Sequence, residues 1–515
     1  MQNNIGQFFA KQAQLNPDRE ALFDVAADVR FSYSEANARM NRFSNAMSGA
    51  GVAKGDRVAT LLMNGHQFVE LFYGLAKIGA VTVALNWRLV AEELSFILND
   101  SGAETLVFGT EFNDVVADLH GRGAEGTKVT RWVHVGDAAD RPDFADGYDE
   151  LLAAASVDEP EIAGSDDDLL FIMYTSGTTG LPKGVMHTHG TAMWSIITGA
   201  ATAEMRKADR YLICLPLFHV GAMNPLLTTF YSAGTAVIMS QFDPTRIWEL
   251  FGEEKIDCTL AVPAMLQFML LTYDKDAHDT STLRWVMSGA SPVPANLIET
   301  YAGMGIEIHQ VYGLTETCGP ACLIGPDDAI RRAGSTGKAF FHTDVKVVTE
   351  DGELASPNEP GEVLVRGPHV MAGYWNRPDA TAESVVDGWL HTGDIALVDD
   401  EGFVYIHDRV KDMIISGGEN VYPAEIENVI VGVEGVKETA VIGIESAKWG
   451  ETPLAVVVKA DDALTAEAVL SECQAKLAKF KQPARVEFID AIPRNPTGKA
   501  LKRILREQFN EPADT

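Results

Sequence analysis

The stretch YTSGTTGLPKGV, Tyr174 to Val185, places three glycines, four Ser/Thr hydroxyls and a lysine in one short run. Glycine lets main-chain N–H groups approach a ligand closely and adopt conformations closed to other residues. Around Gly177 and Gly180, the hydroxyls of Thr175, Ser176, Thr178 and Thr179 add donors, and Lys183 adds a mobile positive charge. Successive N–H groups of this kind form an anion-binding concavity, so the run reads as a phosphate cradle. It departs from the common nucleotide loop G-x-x-x-x-G-K-[ST], in which Lys directly follows the second Gly. Here Leu181 and Pro182 separate Gly180 from Lys183, and Gly184 follows. The run therefore predicts a phosphate chain held on a different fold.

Outward from this run the chain alternates. Segments such as DRVATLLMN, GAVTVALN, ADRYLICLPLF and GTAVIMSQF are short, apolar and bounded by turn residues, as buried strands are. Between them HQFVELFYGLAKIG, PTRIWELFGEEKI and PAMLQFMLLTYD read as helices. The alternation predicts an α/β protein with helix-covered sheets. Near GEVLVRGPHVMAGYW and GWLHTGDIALVDDEGFVYIHDRV, Gly-separated short strands predict a small antiparallel, β-barrel-like subdomain. After KDMIISGGENVYP the texture changes again, to an α+β unit. The boundary falls at 410/411, giving a large N-terminal domain, 1–410, and a small one, 411–515.

The length of 515 residues suits several domains, and 46% hydrophobic residues suit sizeable cores. Lys and Arg number 41 against 73 Asp and Glu, a net charge of -32, which argues against a nucleic-acid-binding surface. No basic start precedes an apolar core at the N-terminus, so no secretory signal is expected, and no run approaches the ~20 apolar residues of a membrane helix. Five scattered cysteines fit a reducing compartment, the cytoplasm, rather than a disulfide framework.

Further motifs follow in fixed order: GASP (Gly289–Pro292), QVYGLTET (Gln310–Thr317), GWLHTGD (Gly388–Asp394), DRVKDMIISGGENVYP (Asp408–Pro423) and PRNPTGKALKR (Pro493–Arg503). Together with the opening run they closely resemble the adenylate-forming superfamily of acyl- and aryl-CoA synthetases, luciferases and peptide-synthetase adenylation domains. Within it the chain is most similar to bacterial fatty-acid–CoA ligases, including the mycobacterial very-long-chain type.

The resemblance implies a mobile C-terminal domain and two half-reactions. Carboxylate and ATP give an acyl-adenylate and pyrophosphate; coenzyme A then displaces AMP. An ionised carboxylate needs no general base, only alignment and charge neutralisation. The opening run would grip the phosphates that leave. Glu316, after Thr315, resembles the Mg²⁺ ligand, for which a carboxylate oxygen is apt. Tyr312, with Gly313 following, would stack on adenine beside the backbone of Gly289, Ala290 and Ser291. Asp394 resembles the acid that accepts the ribose hydroxyls, and Arg409 a second ribose or phosphate contact. Lys499 resembles the catalytic lysine that spans carboxylate and α-phosphate.

For the thioester step the resemblance implies rotation about a hinge at Lys411, which brings Gly417 and Gly418 to wall the pantetheine tunnel. Trp449 and Phe480 are stacking residues for the nucleotide end of coenzyme A, and Arg88 and Lys481 its 3′-phosphate partners; Trp449 is equally readable as a core indole. The acyl pocket is assigned to His219, Val220, Gly221, Ala222 and Met223, extended by Met265 and Phe268, with His219 as wall or gate. His219 stands where amino-acid-activating domains carry an Asp, and 16 residues past Lys499 leave no room for a linked carrier domain.

The expected reaction is ATP- and Mg²⁺-dependent ligation of a medium- to long-chain fatty acid to coenzyme A. Alternatives are a feruloyl- or 4-coumaroyl-type acid–CoA ligase, an acyl-AMP ligase loading a carrier protein, and a luciferase-type oxygenase. Partners are these small molecules, with a homodimer as a further expectation; the basic cluster Arg206, Lys207 and Arg210 is expected either to give weak peripheral membrane contact or to attract the phosphates of coenzyme A near the tunnel mouth.

Overall fold

The computed structural model describes residues 3–175, 182–290, 293–325, 327–409, 412–416, 419–421, 423–446, 449–477, 479–494 and 500–509. Of residues 125, 407–409, 415, 419–420, 450 and 480 the backbone alone is described. The chain divides into two compact units, one of residues 1–345 and 365–390, the other of 346–364 and 391–515.

The first unit is built on two sheets. In the eight-stranded sheet, Arg57–Leu61, Val81–Ala84, Thr105–Gly109 and Arg131–Val135 run parallel. Strand β1 (Leu169–Thr175) joins them parallel to Val81–Ala84, and β2 (Lys183–Thr188) folds back antiparallel on β1. The nine-stranded sheet has a parallel centre in which β3 (Arg210–Ile213), β4 (Cys258–Leu260), β5 (Trp285–Ser288) and β6 (Ile308–Tyr312) are successive neighbours. Parallel strands are buried on both faces, which is why they read as unbroken apolar runs.

Side chains alternate across the strands. Tyr211 and Ile213 face a core shared with helices α1 (His189–Thr202) and α2 (Val220–Tyr231), whereas Leu212 faces a second core with Trp248, Phe251 and Leu266. The helices begin where their caps dictate. At Tyr33–Gly49 the Ser32 Oγ accepts from Glu35 N while a Glu35 carboxylate oxygen accepts from Ser32 N, a capping box. His66–Ile78, buried all round, ends at Gly79 with φ 70°, the left-handed stop that glycine takes without strain. Its Lys77 is fully buried, and the ammonium donates to Asn37, Asn41 and Glu159, which fastens the chain near residue 159 onto two helices.

In the second unit residues 391–398 of β7 (Trp389–Val398) lie between 361–364 and β8 (Val404–Arg409). A further sheet sets the long antiparallel pair Val436–Ser446 and Gly450–Lys459 at its centre, with Arg485–Phe488 parallel to the latter. Helices Pro423–Val431 and Ala466–Lys476 cover one face through Ile426, Ile430, Val469 and Cys473. Leu505 of Lys502–Gln508 packs on the other. By packing, the small sheet around β7 counts with the C-terminal residues; the 410/411 division is one of chain texture.

Candidate active site

Parallel strands bring their C-terminal ends to one edge, where open α/β sheets bind ligands. Ser288 of β5 pairs with Gln310 of β6, so the following segments Gly289–Ala290 and Tyr312–Gly313 stand side by side. Neither glycine tolerates a side chain. A Cβ on Gly289 would collide with the Val311 carbonyl, and one on Gly313 with the Gly319 carbonyl. Ala290 is held at φ 68°, a left-handed conformation costly for a residue with a Cβ. The backbone here is thus fixed in a shape that side chains cannot fill. Ser291 lies outside the described residues.

The turn after Gly313 is tied from several directions. Thr317 Oγ accepts from Leu314 N at 3.0 Å and also contacts the Leu314 and Gly319 carbonyls. Glu316 Oε1 accepts from the Tyr374 hydroxyl at 2.9 Å, and its main-chain carbonyl accepts from Met371 N at 2.8 Å. Lys183 Nζ sits 5.0 Å from the centre of the Tyr374 ring, so the lysine of the phosphate run and the acid of the YGLTET motif flank one tyrosine. Beneath them His187 Nε2 is 2.7 Å from the Thr315 carbonyl. Burial pulls the His187 pKa down to about 4, against a smaller upward pull from that hydrogen bond. The ring is therefore neutral at pH 7, and because a carbonyl only accepts, the proton is on Nε2.

In the opening run, Thr175 and Lys183 face each other across the β1–β2 pair, and Thr175 Oγ is 3.5 Å from the Lys183 carbonyl. Ser176, Gly177, Thr178, Thr179 and Gly180 lie outside the described residues. Mg²⁺ is typically held by one or two carboxylates plus substrate phosphates. Glu316 fits that demand, being half-buried with its second carboxylate oxygen outside the Tyr374 contact.

A cavity of about 150 Å³ opens between α1, α2 and the nine-stranded sheet, and it reaches Gly289, Ala290 and Gly313. Of the residues assigned to the acyl pocket, Val220 and Gly221 line it, together with Asn224, Pro225 and Thr228 on the same helix face. Ala222 and Met223 do not. They lie on the other side of α2, packed into the core, because a helix offers a ligand one stripe and not four consecutive residues. Met265 packs into the second core beyond the sheet, and Phe268 is exposed. Sequence reasoning missed the sheet-side wall: Tyr211, Leu260, Trp285 and Met287. No local pattern marks them, since parallel strands buried on both faces read as unbroken apolar runs. It missed His187 and Tyr374 as well, although both flank quoted motifs.

His219 caps α2 through its carbonyl, which accepts from Ala222 and Met223 N–H at 3.0 Å. Its ring is buried, and burial pulls its pKa to about 4, with Arg88 adding to the effect. The ring is neutral at pH 7, and His219, assigned from the sequence as a wall or gate, is not among the residues that line the cavity. Arg88 is exposed, its guanidinium 4.1 Å from the Trp87 ring centre.

In the second unit, Asp394 is buried opposite Arg409 in the β7–β8 register, and its N–H donates to Thr392 Oγ. Trp449 is 47% exposed, a surface indole and not a core one. Lys481 Nζ lies 2.7 Å from both carboxylate oxygens of Glu425, so a phosphate would have to displace that acid. The Arg409 and Phe480 side chains, and Lys411, Gly417, Gly418 and Lys499, lie outside the described residues.

This geometry agrees with what comparison finds. The AMP-binding enzyme family model matches residues 9–375, and the AMP-binding enzyme C-terminal domain matches 425–499. The chain belongs to this family, on its AMP-forming acyl-CoA ligase branch. It is 44% identical to the long-chain-fatty-acid–CoA ligase FadD13 of Mycobacterium tuberculosis, over 98% of this chain and 99% of that one. It is 37% identical to a feruloyl-CoA synthase of an Amycolatopsis species, with the same coverage. Among solved structures, the o-succinylbenzoate coenzyme A synthetase of Bacillus subtilis in complex with ATP and magnesium superposes with a TM-score of 0.87 at 33% identity, covering 97% and 99% of the two chains.

Proposed function

We propose that the protein joins a medium- to long-chain fatty acid to coenzyme A through an acyl-adenylate, releasing pyrophosphate and AMP. The observation that carries this is the apolar cavity ending on Gly289, Ala290 and Gly313, three residues before Glu316. An acyl group in the cavity would present its carboxylate at the strand ends where the backbone of the adenine site begins. Lys183 and Thr175 would meet the departing phosphates, and Glu316, braced by Tyr374, would hold Mg²⁺. Lys499 is assigned to adenylation, and Lys411, Gly417 and Gly418 to the thioester step. The test is AMP release from a panel of fatty and aryl acids with and without coenzyme A; ADP as the product would exclude the adenylate route.

One observation favours the hydroxycinnamate alternative. The cavity floor carries two aromatic rings, Tyr211 and Trp285, at 6.2 Å between centroids and nearly edge to face.

Five cysteines, all buried and unpaired, support a reducing cytoplasmic setting. Among the described residues no helix is long and apolar enough to cross a membrane. The basic cluster is smaller than its sequence suggests, since Arg210 is committed to Glu20 and Glu254. Peripheral contact with anionic lipid would rest on Arg206 and Lys207, and vesicle cosedimentation of their double Ala variant tests it. Sedimentation velocity tests the homodimer.

A further inference from the structure

Tyr211, one of the residues that line the cavity, carries a buried polar group that binding of an alkyl chain leaves unused. Tyr211 is paired in register with Cys258, and Cys258 with Trp285, so the two cavity-lining rings stand level across the sheet. From Trp285 to Gly289 the strand advances four residues, roughly 13 Å at ~3.3 Å each. The rings therefore floor the cavity at the end remote from Gly289 and Gly313. The Tyr211 hydroxyl is buried and has no hydrogen-bond partner among the described residues. Burial pushes the phenol pKa well above its usual value, so the group is a proton donor throughout the physiological range. Leaving such a donor unpaired is unfavourable, and buried polar groups in folded proteins are paired with few exceptions.

Two other polar side chains of the wall have partners within the protein. Asn224 Nδ2 donates to Ser195 Oγ at 2.5 Å, and Thr228 Oγ donates to the Asn224 carbonyl at 2.8 Å. An apolar cavity near 150 Å³ accepts a benzene-sized group, so a bound acyl group of that bulk reaches the floor.

We propose that Tyr211 is a specificity-determining residue whose hydroxyl hydrogen-bonds an oxygen carried by the acyl group at the end remote from its carboxylate. The inference rests on the acid-activating reading and narrows its substrate class to distally oxygenated acids. A hydroxy-fatty acid and a hydroxyaryl acid both present that oxygen, and paired substrates separate them.

The experiment measures kcat/KM for AMP formation with two matched pairs: a medium-chain alkanoic acid against its terminal hydroxy acid, and cinnamic acid against its para-hydroxy form. The native enzyme is expected to prefer the oxygenated member of at least one pair by roughly 10- to 100-fold; which pair responds identifies the source of the oxygen. Tyr211→Phe keeps the ring and is expected to erase that preference, bringing the two members of the responding pair to the same kcat/KM. A lowered Tm with an unchanged ratio would make Tyr211 a structural residue and overturn the inference, as would any unchanged ratio in both pairs. Absence of AMP with all four acids in the native enzyme would overturn the acid-activating reading itself, and this inference with it.

Discussion

The neutral imidazole of His187 donates through Nε2 to the main-chain carbonyl of Thr315, the residue immediately before the carboxylate assigned to Mg²⁺. Because β2 carries His187 and the turn after β6 carries Thr315, this bond ties the strand that starts at Lys183 to the segment that presents Glu316. His187 is expected to act as a positioning residue. His187→Ala leaves the carbonyl without its donor, an effect of ~1–3 kcal/mol. The expected outcome is a fall of roughly 5- to 100-fold in kcat/KM for ATP and a raised Mg²⁺ requirement, measured by ATP–pyrophosphate exchange. A loss of stability with unchanged Mg²⁺ dependence would show that the bond serves only the fold.

Gly313 and Gly221 both face the cavity, yet their alanine variants should behave oppositely. At Gly313 a Cβ collides with the Gly319 carbonyl, so Gly313→Ala must distort the turn that carries Glu316. Soluble protein with almost no adenylation is expected. At Gly221 the nearest atom to a new Cβ is Leu215 Cδ1 at 3.5 Å, an ordinary contact. Gly221→Ala should keep or raise stability by up to ~1 kcal/mol through helix propensity, and raise KM for the bulkier acids. Thermal unfolding and a substrate panel check both.

Burial holds four histidines, His187, His189, His219 and His369, at pKa values of about 4 against an ordinary 6.5. The sign follows from proton uptake. Between pH 6.5 and 4 the unfolded chain binds protons that the folded chain refuses, so stability is full above 6.5 and falls as pH drops toward 4. Each histidine contributes a slope approaching ~1.4 kcal/mol per pH unit in that window. Denaturant midpoints taken at pH 7.5, 6 and 5 should fall steadily; a flat profile would mean that these imidazoles accept protons in the fold.

The two half-reactions should separate by mutation. Lys499→Ala removes a charge needed while negative charge builds at the α-phosphate, and the expected loss in adenylation is roughly 10²–10³-fold, with thioester formation from supplied acyl-adenylate retained. Gly417→Leu should do the reverse by filling the pantetheine path. Equal impairment of one step by both variants would argue against two working conformations.

The strands and helices of the first unit were legible because burial on both faces leaves unbroken apolar runs, and each helix named from the sequence forms. The strand-end motifs were legible too, since Gly289 and Gly313 are demanded by backbone contacts that no other residue allows. The wall of the cavity assigned to the acyl group was not. Assigning residues 220–223 as a block ignored the helical stripe that keeps Val220 and Gly221 but turns Ala222 and Met223 into the core. Tyr211 and Trp285 lay hidden because an aromatic residue in a buried strand reads as packing until the space above it is known. Glu425's hold on Lys481 joins residues 56 apart in the chain, beyond any local pattern.

The cavity is enclosed by two walls of unequal tolerance. On the strand-end side, the carbonyls of Val311 and Gly319 forbid any side chain at Gly289 or Gly313. On the helix side, Gly199 has only Thr228 and Asn224 atoms near it, none closer than 3.5 Å. Under the proposed function, variation that changes the acid accepted can accumulate on the two helices without disturbing the edge where the nucleotide chemistry is assigned. A family drifting under such a constraint would diversify its diet while keeping its engine.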